Sequence, residues 1–153
     1  MNTKGNLKQF PEELDQHLQA LLEHGQEITI YRTFHTIKNN ANLSIHCFLS
    51  QLERRIRREG KLPSTIYYQM DGGSENANKY LLLFCELLII SGLTEHIYLT
   101  RLPVGHTHED IDGKFAKIRK HARNRNIHTP MEYRELIITA LPPSKLDELS
   151  LYQ

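Results

Sequence analysis

Residues 64–102 read "STIYYQMDGGSENANKYLLLFCELLIISGLTEHIYLTRL", and this stretch decides the fold class of the chain. Its first part, 64–70, and its last part, 95–102, are rich in β-branched and aromatic residues, which favours strands. Residues 74–92 are predicted to form a helix that ends at Gly92. This helix is apolar almost all round, so we expect it to be buried. A strand–helix–strand unit with parallel strands indicates an α/β fold.

The flanking segments continue the alternation of strands and helices. The further predicted elements are a strand at 28–37, a helix from Leu43 to Gly60, a helix at 109–125 and a helix at 129–141. The stretch 12–25 is ambiguous from its residues alone. Its leucine spacing suits a helix, and its position suits equally well a strand that enters the next one through a tight turn.

The composition of the chain is that of an ordinary globular domain. Of 153 residues, 39% are hydrophobic and 24% are charged, and 19 Lys and Arg stand against 18 Asp and Glu. Global charge therefore indicates no particular partner. Cys47 and Cys85 lie in apolar runs without a CxxC pair, so we expect small core residues in a reducing compartment. With no bilayer-length apolar segment and no signal-peptide pattern, we expect a soluble intracellular protein without a membrane partner.

Acidic residues follow two of the predicted strands, at the point where each strand ends. Asp71 comes directly after the strand at 64–70, and the cluster at 109–112 follows the strand at 95–102. In α/β sheets, binding sites form beyond the carboxyl ends of parallel strands. Carboxylates from different segments are typical ligands of two Mg²⁺ ions about 4 Å apart in phosphoryl-transfer sites. The order of the segments therefore indicates a candidate two-metal site.

The residues leave other interpretations of this region open. "GHTH" at 105–108 occurs in binuclear metallophosphoesterases, where the histidines bind metal, but the companion motifs of those enzymes are absent from the chain. A mononuclear zinc site from His106 and His108 has no obvious third ligand. The same histidines suit a turn that supports a neighbouring acid. Asp71 suits a turn before two glycines, and Asp110 suits the first turn of a helix, where the helix dipole favours carboxylates.

Two motifs resemble those of a known family. "YYQMDGGSENANKY" (67–80), followed by "LTRLPVGHTHEDIDGKF" (99–115), resembles the integrase-like catalytic domain of eukaryotic transposon-derived proteins, in the ribonuclease-H-like superfamily of DDE/DDD transposases. The resemblance covers roughly residues 15–125. It implies a three-layer α/β fold, with a mixed sheet and helices on both faces. It also implies Mg²⁺- or Mn²⁺-dependent DNA cleavage and strand transfer, DNA as partner, a homo-oligomer and a nuclear location.

The resemblance also implies roles for individual residues. Asp71 corresponds to the second catalytic acid. Asp112 corresponds to the third, because Ile111 and Phe115 stand where related transposases have hydrophobic residues around that acid. Both would be catalytic residues and metal ligands. The expected supporting residues are His106, His108, Asp110 and Asn76, the last of which either orients Asp71 or caps the helix.

The resemblance assigns the ambiguous N-terminal stretch and reveals a departure. Residues 14–34 would form the second and third strands of the superfamily fold, joined by a hairpin. The first strand, which is central and carries the first catalytic Asp, has no counterpart in residues 1–13. We therefore expect a polar tail at 1–13, an integrase-like domain at 14–125, a C-terminal helix at 126–141 and a tail at 142–153. Without the first Asp, two-metal catalysis should be severely impaired, and a catalytically dead DNA- or protein-binding domain is the alternative.

A basic run follows Asp112 on the predicted helix. Its candidate DNA-binding residues are Lys114, Lys117, Arg119, Lys120 and Arg123. At 3.6 residues per turn, Arg119 and Arg123 share one helix face with Asp112. This face suits a DNA phosphate backbone laid beside the metal site. The same run is equally compatible with a solvated helix face.

Overall fold

The computed structural model of the chain describes residues 16–26, 28–34, 36–70, 79–101, 110–142 and 145–148. In chain order these residues form β1 Gln16–Leu22, β2 Ile28–Phe34, α1 Ala41–Glu59, β3 Thr65–Met70, α2 Lys79–Ile90, β4 His96–Arg101, α3 Asp110–Ala122, α4 Pro130–Ala140 and β5 Lys145–Glu148. The prediction of an α/β fold is confirmed. Within the described ranges, no helix has the length and apolar character needed to cross a membrane.

β1 and β2 form the antiparallel hairpin that the resemblance implied. Their register closes with Leu22 opposite Ile28. In the turn, the amide of Gln26 donates to the carbonyl of Glu23 (2.9 Å), and Gly25 has a φ of 78°, which a residue without Cβ adopts at little cost. The helical interpretation of this stretch is wrong, because pairing with the buried β2 satisfies the backbone groups of β1.

The strand–helix–strand unit predicted from residues 64–102 is confirmed. β3 and β4 pair in parallel, from Thr65 opposite His96 to Met70 opposite Arg101. α2 is the crossover between them. This pairing sets the carboxyl ends of both strands side by side, at the kind of edge where α/β folds form their sites.

The described strands form two sheets, whereas we expected a single mixed sheet. One sheet has the order β1-β2-β5, and the other pairs β3 with β4. β5 pairs in parallel with β2 and lies in the segment 142–153 that we predicted to be a tail. The tail prediction is wrong for these four residues. So short a strand carries no readable hydrophobic pattern and depends on hydrogen bonds from the edge of β2.

β2 lies between helices that pack on both faces of its sheet. On one face Ile30 packs with Ile118 of α3 and Ile137 of α4. On the other face the hydroxyl of Tyr31 donates to the carbonyl of Cys47 in α1 (3.1 Å). Successive residues of a strand point to opposite faces, so one buried strand serves two helical layers. The expectation of helices on both faces holds for this sheet.

Both cysteines are buried and free of disulfides, which confirms them as core residues. Burial raises the pKa of the Cys47 thiol to about 12. Burial also raises the pKa of the Cys85 thiol. The thiolate is the reactive form of cysteine, so burial disfavours nucleophilic reactivity at both positions.

Local signals define the ends of α1 and α4. The side chain of Asn40 accepts from the amide of Leu43 and caps α1, which ends at Gly60 with a left-handed φ of 77°. The predicted end at Gly60 is confirmed, while the helix begins two residues before the predicted Leu43. α4 has Thr129 as its N-cap and Pro130 in its first turn, which is what a Thr-Pro pair before a helical segment predicts. Capping groups act within one turn, which is why sequence alone locates them.

α2 contradicts the prediction of a helix that is buried all round. Leu81, Cys85 and Leu88 are buried and pack with α1 and the β3-β4 sheet. On the opposite face, large residues such as Leu83 and Leu87 are exposed. The prediction failed because an apolar sequence permits burial on every side, but burial also requires a second layer of partners. In the described part of the chain, α2 has such a layer on one side only.

Candidate functional site

The predicted site lies where β3 and β4 end. Met70 and Arg101 are register partners, and Asp71 follows Met70 directly in the sequence. The chain that leaves Arg101 next enters α3 at Asp110. Four predicted site residues lie outside the described residues: Asp71, Asn76, His106 and His108. The structure brings the two strand ends together, and the meeting of Asp71 with Asp112 stays a prediction.

α3 is oriented by its apolar face. Ile118 is 3% exposed and belongs to the core between α4 and the β1-β2-β5 sheet, and Phe115 and Ala122 pack against that core. Ile111 is half-buried. The sequence spacing of Phe115, Ile118 and Ala122 predicts one apolar face on this helix, and the packing of these three residues confirms it. The packing leaves Asp112 half-buried in the first turn, a position that acidic residues favour.

The basic residues of α3, together with Arg123 directly after it, lie mostly on the side that is open to solvent. Lys117, Arg119, Lys120 and Arg123 are exposed, and Lys114 is half-buried. In the part of the chain that the structure describes, none of these five side chains is paired with a carboxylate. We call these five residues the α3 basic face. Its positive charge is not neutralised by ion pairs within the described fold.

The arginines of α1, in contrast, are paired with carboxylates. Arg55 and Arg58 both bind the carboxylate of Glu23 at the end of β1, Arg58 at 2.9 Å. Both also bind Glu59. The side chain of Glu23 is 13% exposed, so this network is partly shielded from water. These charges fasten α1 to the hairpin, and the α3 basic face is therefore the better candidate for binding phosphates.

A groove of about 350 Å³ lies between the hairpin and β3. One wall is the end of β1 with its turn (21–24), the opposite wall is β3, and the floor is α1. Gln51 on this floor accepts from the hydroxyl of Thr29 (3.1 Å) and donates to Glu23 (3.0 Å). No sequence pattern predicts the groove. Its walls come from segments far apart in the chain, and only tertiary packing brings them together.

Asp110 and Asp112 cannot form a metal site together. They are two residues apart on α3, and side chains at that spacing on a helix do not face each other. Across the described ranges, no group of three or more His, Cys, Asp or Glu side chains is placed to hold a metal ion. A metal bound by Asp112 therefore requires ligands from another segment. The sequence analysis assigned that part to Asp71.

Comparison with protein families places the whole arrangement in one domain family. Residues 8–150 match the sequence model of a family described as "Domain of unknown function (DUF7869)". The chain belongs to the DUF7869 family. The match includes every described element, from β1 to β5, so both sheets and the α3 basic face are parts of the DUF7869 domain. No curated protein and no solved structure matches the chain.

Proposed function

We propose that this DUF7869 domain derives from a transposase or integrase and has a ribonuclease-H-like arrangement. Its proposed chemistry is Mg²⁺- or Mn²⁺-dependent DNA cleavage and strand transfer, which implies a nuclear location. The observation that supports the proposal most is the parallel register of β3 and β4, which ends with Met70 beside Arg101. Two chain segments therefore leave the sheet at one edge, one into Asp71 and the other toward Asp112.

Asp71 and Asp112 are the proposed metal ligands. Asp112 fits this role because it is half-buried at the start of α3, where the helix dipole favours acidic side chains. It has no ion-pair partner among the described residues, so its oxygens are available to a cation. Metal ions bound there would activate a water or a 3′-hydroxyl and stabilise charge on the phosphate.

The first acid of the superfamily pattern has no counterpart in residues 1–13. Because Asp71 and Asp112 are two of the three acids in that pattern, we propose that the 153-residue chain binds divalent metal weakly and cleaves DNA poorly by itself. A two-metal site needs carboxylates from several segments to set its geometry. A segment or partner that supplies a third carboxylate would raise the activity.

DNA is the proposed partner of the α3 basic face. Its five cations lie within ten residues of chain that begin directly after the proposed metal ligand Asp112 and Gly113. Lys and Arg side chains that neutralise phosphates release counterions, and this release drives DNA binding without sequence preference. The face would hold the phosphate backbone while Asp112 holds the metal at the helix start.

Titration with Mn²⁺, followed by electron paramagnetic resonance, tests the metal site. We expect weak binding to the wild-type chain and its loss in both Asp71→Asn and Asp112→Asn. Glu95→Gln is the matched control, because it removes an equivalent charge at an exposed position just before β4, at the opposite end of that strand from Arg101. Unchanged Mn²⁺ binding in Asp112→Asn would contradict the proposal. Tight zinc or iron binding that His106→Ala abolishes would favour the metallophosphoesterase instead.

A DNA-binding domain without catalytic activity is the second candidate. The observation that favours it is the division of the described strands into two sheets, since the superfamily site needs a strand at the centre of one continuous sheet. Both candidates predict salt-sensitive DNA binding that depends on Arg119 and Arg123. A supercoiled plasmid nicking assay with Mn²⁺ separates them. Nicking that Asp112→Asn abolishes supports the enzyme, and binding with no nicking supports the second candidate.

A further inference from the structure

α2 presents an apolar stripe to solvent. Tyr80, Leu83, Leu87 and Ile90 follow one another at spacings of three, four and three residues, so they lie on one face of the helix. Their exposed fractions are 54%, 57%, 59% and 82%. We call these four residues the α2 stripe. It faces away from the buried residues Leu81, Cys85 and Leu88 that attach α2 to the core.

Neighbouring side chains widen the apolar surface around the α2 stripe. Leu82, Ile89 and Leu93 are exposed as well. Together the seven side chains present on the order of 700 Å² of apolar surface on two sides of the exposed Glu86, against ~800 Å² that each partner of a standard protein interface buries. Monomeric proteins rarely expose contiguous apolar patches above a few hundred Å². The patch therefore has the size of an interface.

The charge of α2 does not suit a helix that faces water. Among the twelve residues of Lys79–Ile90, only Lys79 and Glu86 are charged. A helix at a protein surface normally carries its charged residues on the solvated side. The ammonium group of Lys79 lies 5.3 Å from the ring centre of Tyr80, at one end of the stripe. The four stripe residues carry no charge, as a desolvated contact requires. The exposed carboxylate of Glu86 lies beside them, three residues after Leu83 and four before Ile90, at the rim of the stripe.

We propose that two copies of the chain associate through antiparallel packing of α2 against α2. The three–four–three spacing is the same when read from either end of the helix. A two-fold axis through the middle of the α2 stripe therefore sets Tyr80 opposite Ile90 of the partner subunit, and Leu83 opposite Leu87 of the partner subunit. Alternating spacings of three and four are those at which two helices pack side by side.

Helix-dipole electrostatics favours the antiparallel arrangement of the two α2 helices. This arrangement sets the N-terminus of each α2 beside the C-terminus of the other, where opposite ends of the helix dipoles attract. A parallel pair would set like ends together. The α2 stripe of a second copy can cover the α2 stripe of the first, because the stripe is complementary to itself. No other complementary surface is needed. The pairing goes beyond the proposed DNA chemistry and does not depend on it.

Mass measurement by light scattering after size exclusion tests the association of the full chain. At micromolar concentration we expect twice 17.9 kDa for the wild type and 17.9 kDa for Leu83→Glu with Leu87→Glu. Met131→Glu is the control, because Met131 is also a large exposed apolar residue but lies on α4. It should keep the dimer. A monomeric wild type, or a dimer that persists in the double variant, overturns the proposal.

Disulfide crosslinking tests the antiparallel register. A mixture of Leu83→Cys and Leu87→Cys chains should form the mixed crosslinked dimer, while each variant alone should crosslink much less. The wild type is the background control, since Cys47 and Cys85 are buried. Crosslinking of Leu83→Cys with itself that matches the mixture would indicate parallel helices and overturn the proposed register. Circular dichroism of each variant verifies its fold, which these exposed positions should leave unchanged.

Discussion

Neutralising two arginines of the α3 basic face should reduce the salt dependence of DNA binding by a calculable amount. Arg119→Gln with Arg123→Gln removes two of its five cations. Each phosphate contact contributes about −0.9 to the slope of log K against log salt, so five contacts give about −4.5 and three give about −2.7. Between about 50 and 200 mM salt, the wild type should lose about 500-fold in affinity and the variant about 40-fold.

Fluorescence anisotropy with a short labelled duplex, repeated over a series of salt concentrations, measures both slopes. Arg57→Gln with Lys61→Gln is the matched control, because both side chains are exposed and the same net charge is lost near the end of α1. The control should keep the wild-type slope. An unchanged slope in the α3 variant would refute the assignment of phosphate contacts to this face. An equal reduction in the control would show that binding follows net charge and not the α3 basic face.

Two further predictions concern stability. Thr129→Ala removes the capping box with Glu132 at the start of α4 and should lower the free energy of urea unfolding by about 1 kcal/mol. Thr129→Ser should keep most of the wild-type stability, and an unchanged urea midpoint in Thr129→Ala would refute this prediction. Burial raises the pKa of Tyr31 from 10.0 to about 12 and that of Cys47 from 9.0 to about 12. The unfolded chain therefore releases these protons first, so stability should fall as pH rises from about 9 toward 12. Thermal melts across this range that show no decline would contradict it.

The parts of the site that sequence analysis located are those that depend on one helix alone. Ile118 and Phe115 mark the inward face of α3 through their spacing, and that spacing leaves Arg119 and Arg123 outside. Helical periodicity needs no information from the rest of the chain. Helical periodicity does not show whether the cations of a helix are free to bind a ligand. That depends on which carboxylates from other segments pack against them. Arg55 of α1 binds Glu23, the residue that follows β1, and no local pattern predicts that pair.

The sequence by itself determined the β3-α2-β4 unit, the end of α1 at Gly60 and the cap of α4 at Thr129. These features arise from propensities and hydrogen bonds that act within a few residues. Tertiary structure decided that β1 is a strand, that β5 adds to the edge of β2 and that α2 is covered on one side only. Apolar patterning indicates which segments can be buried. The partner that buries each one is chosen by contacts between segments far apart in the chain, and for α2 we propose that this partner is a second copy.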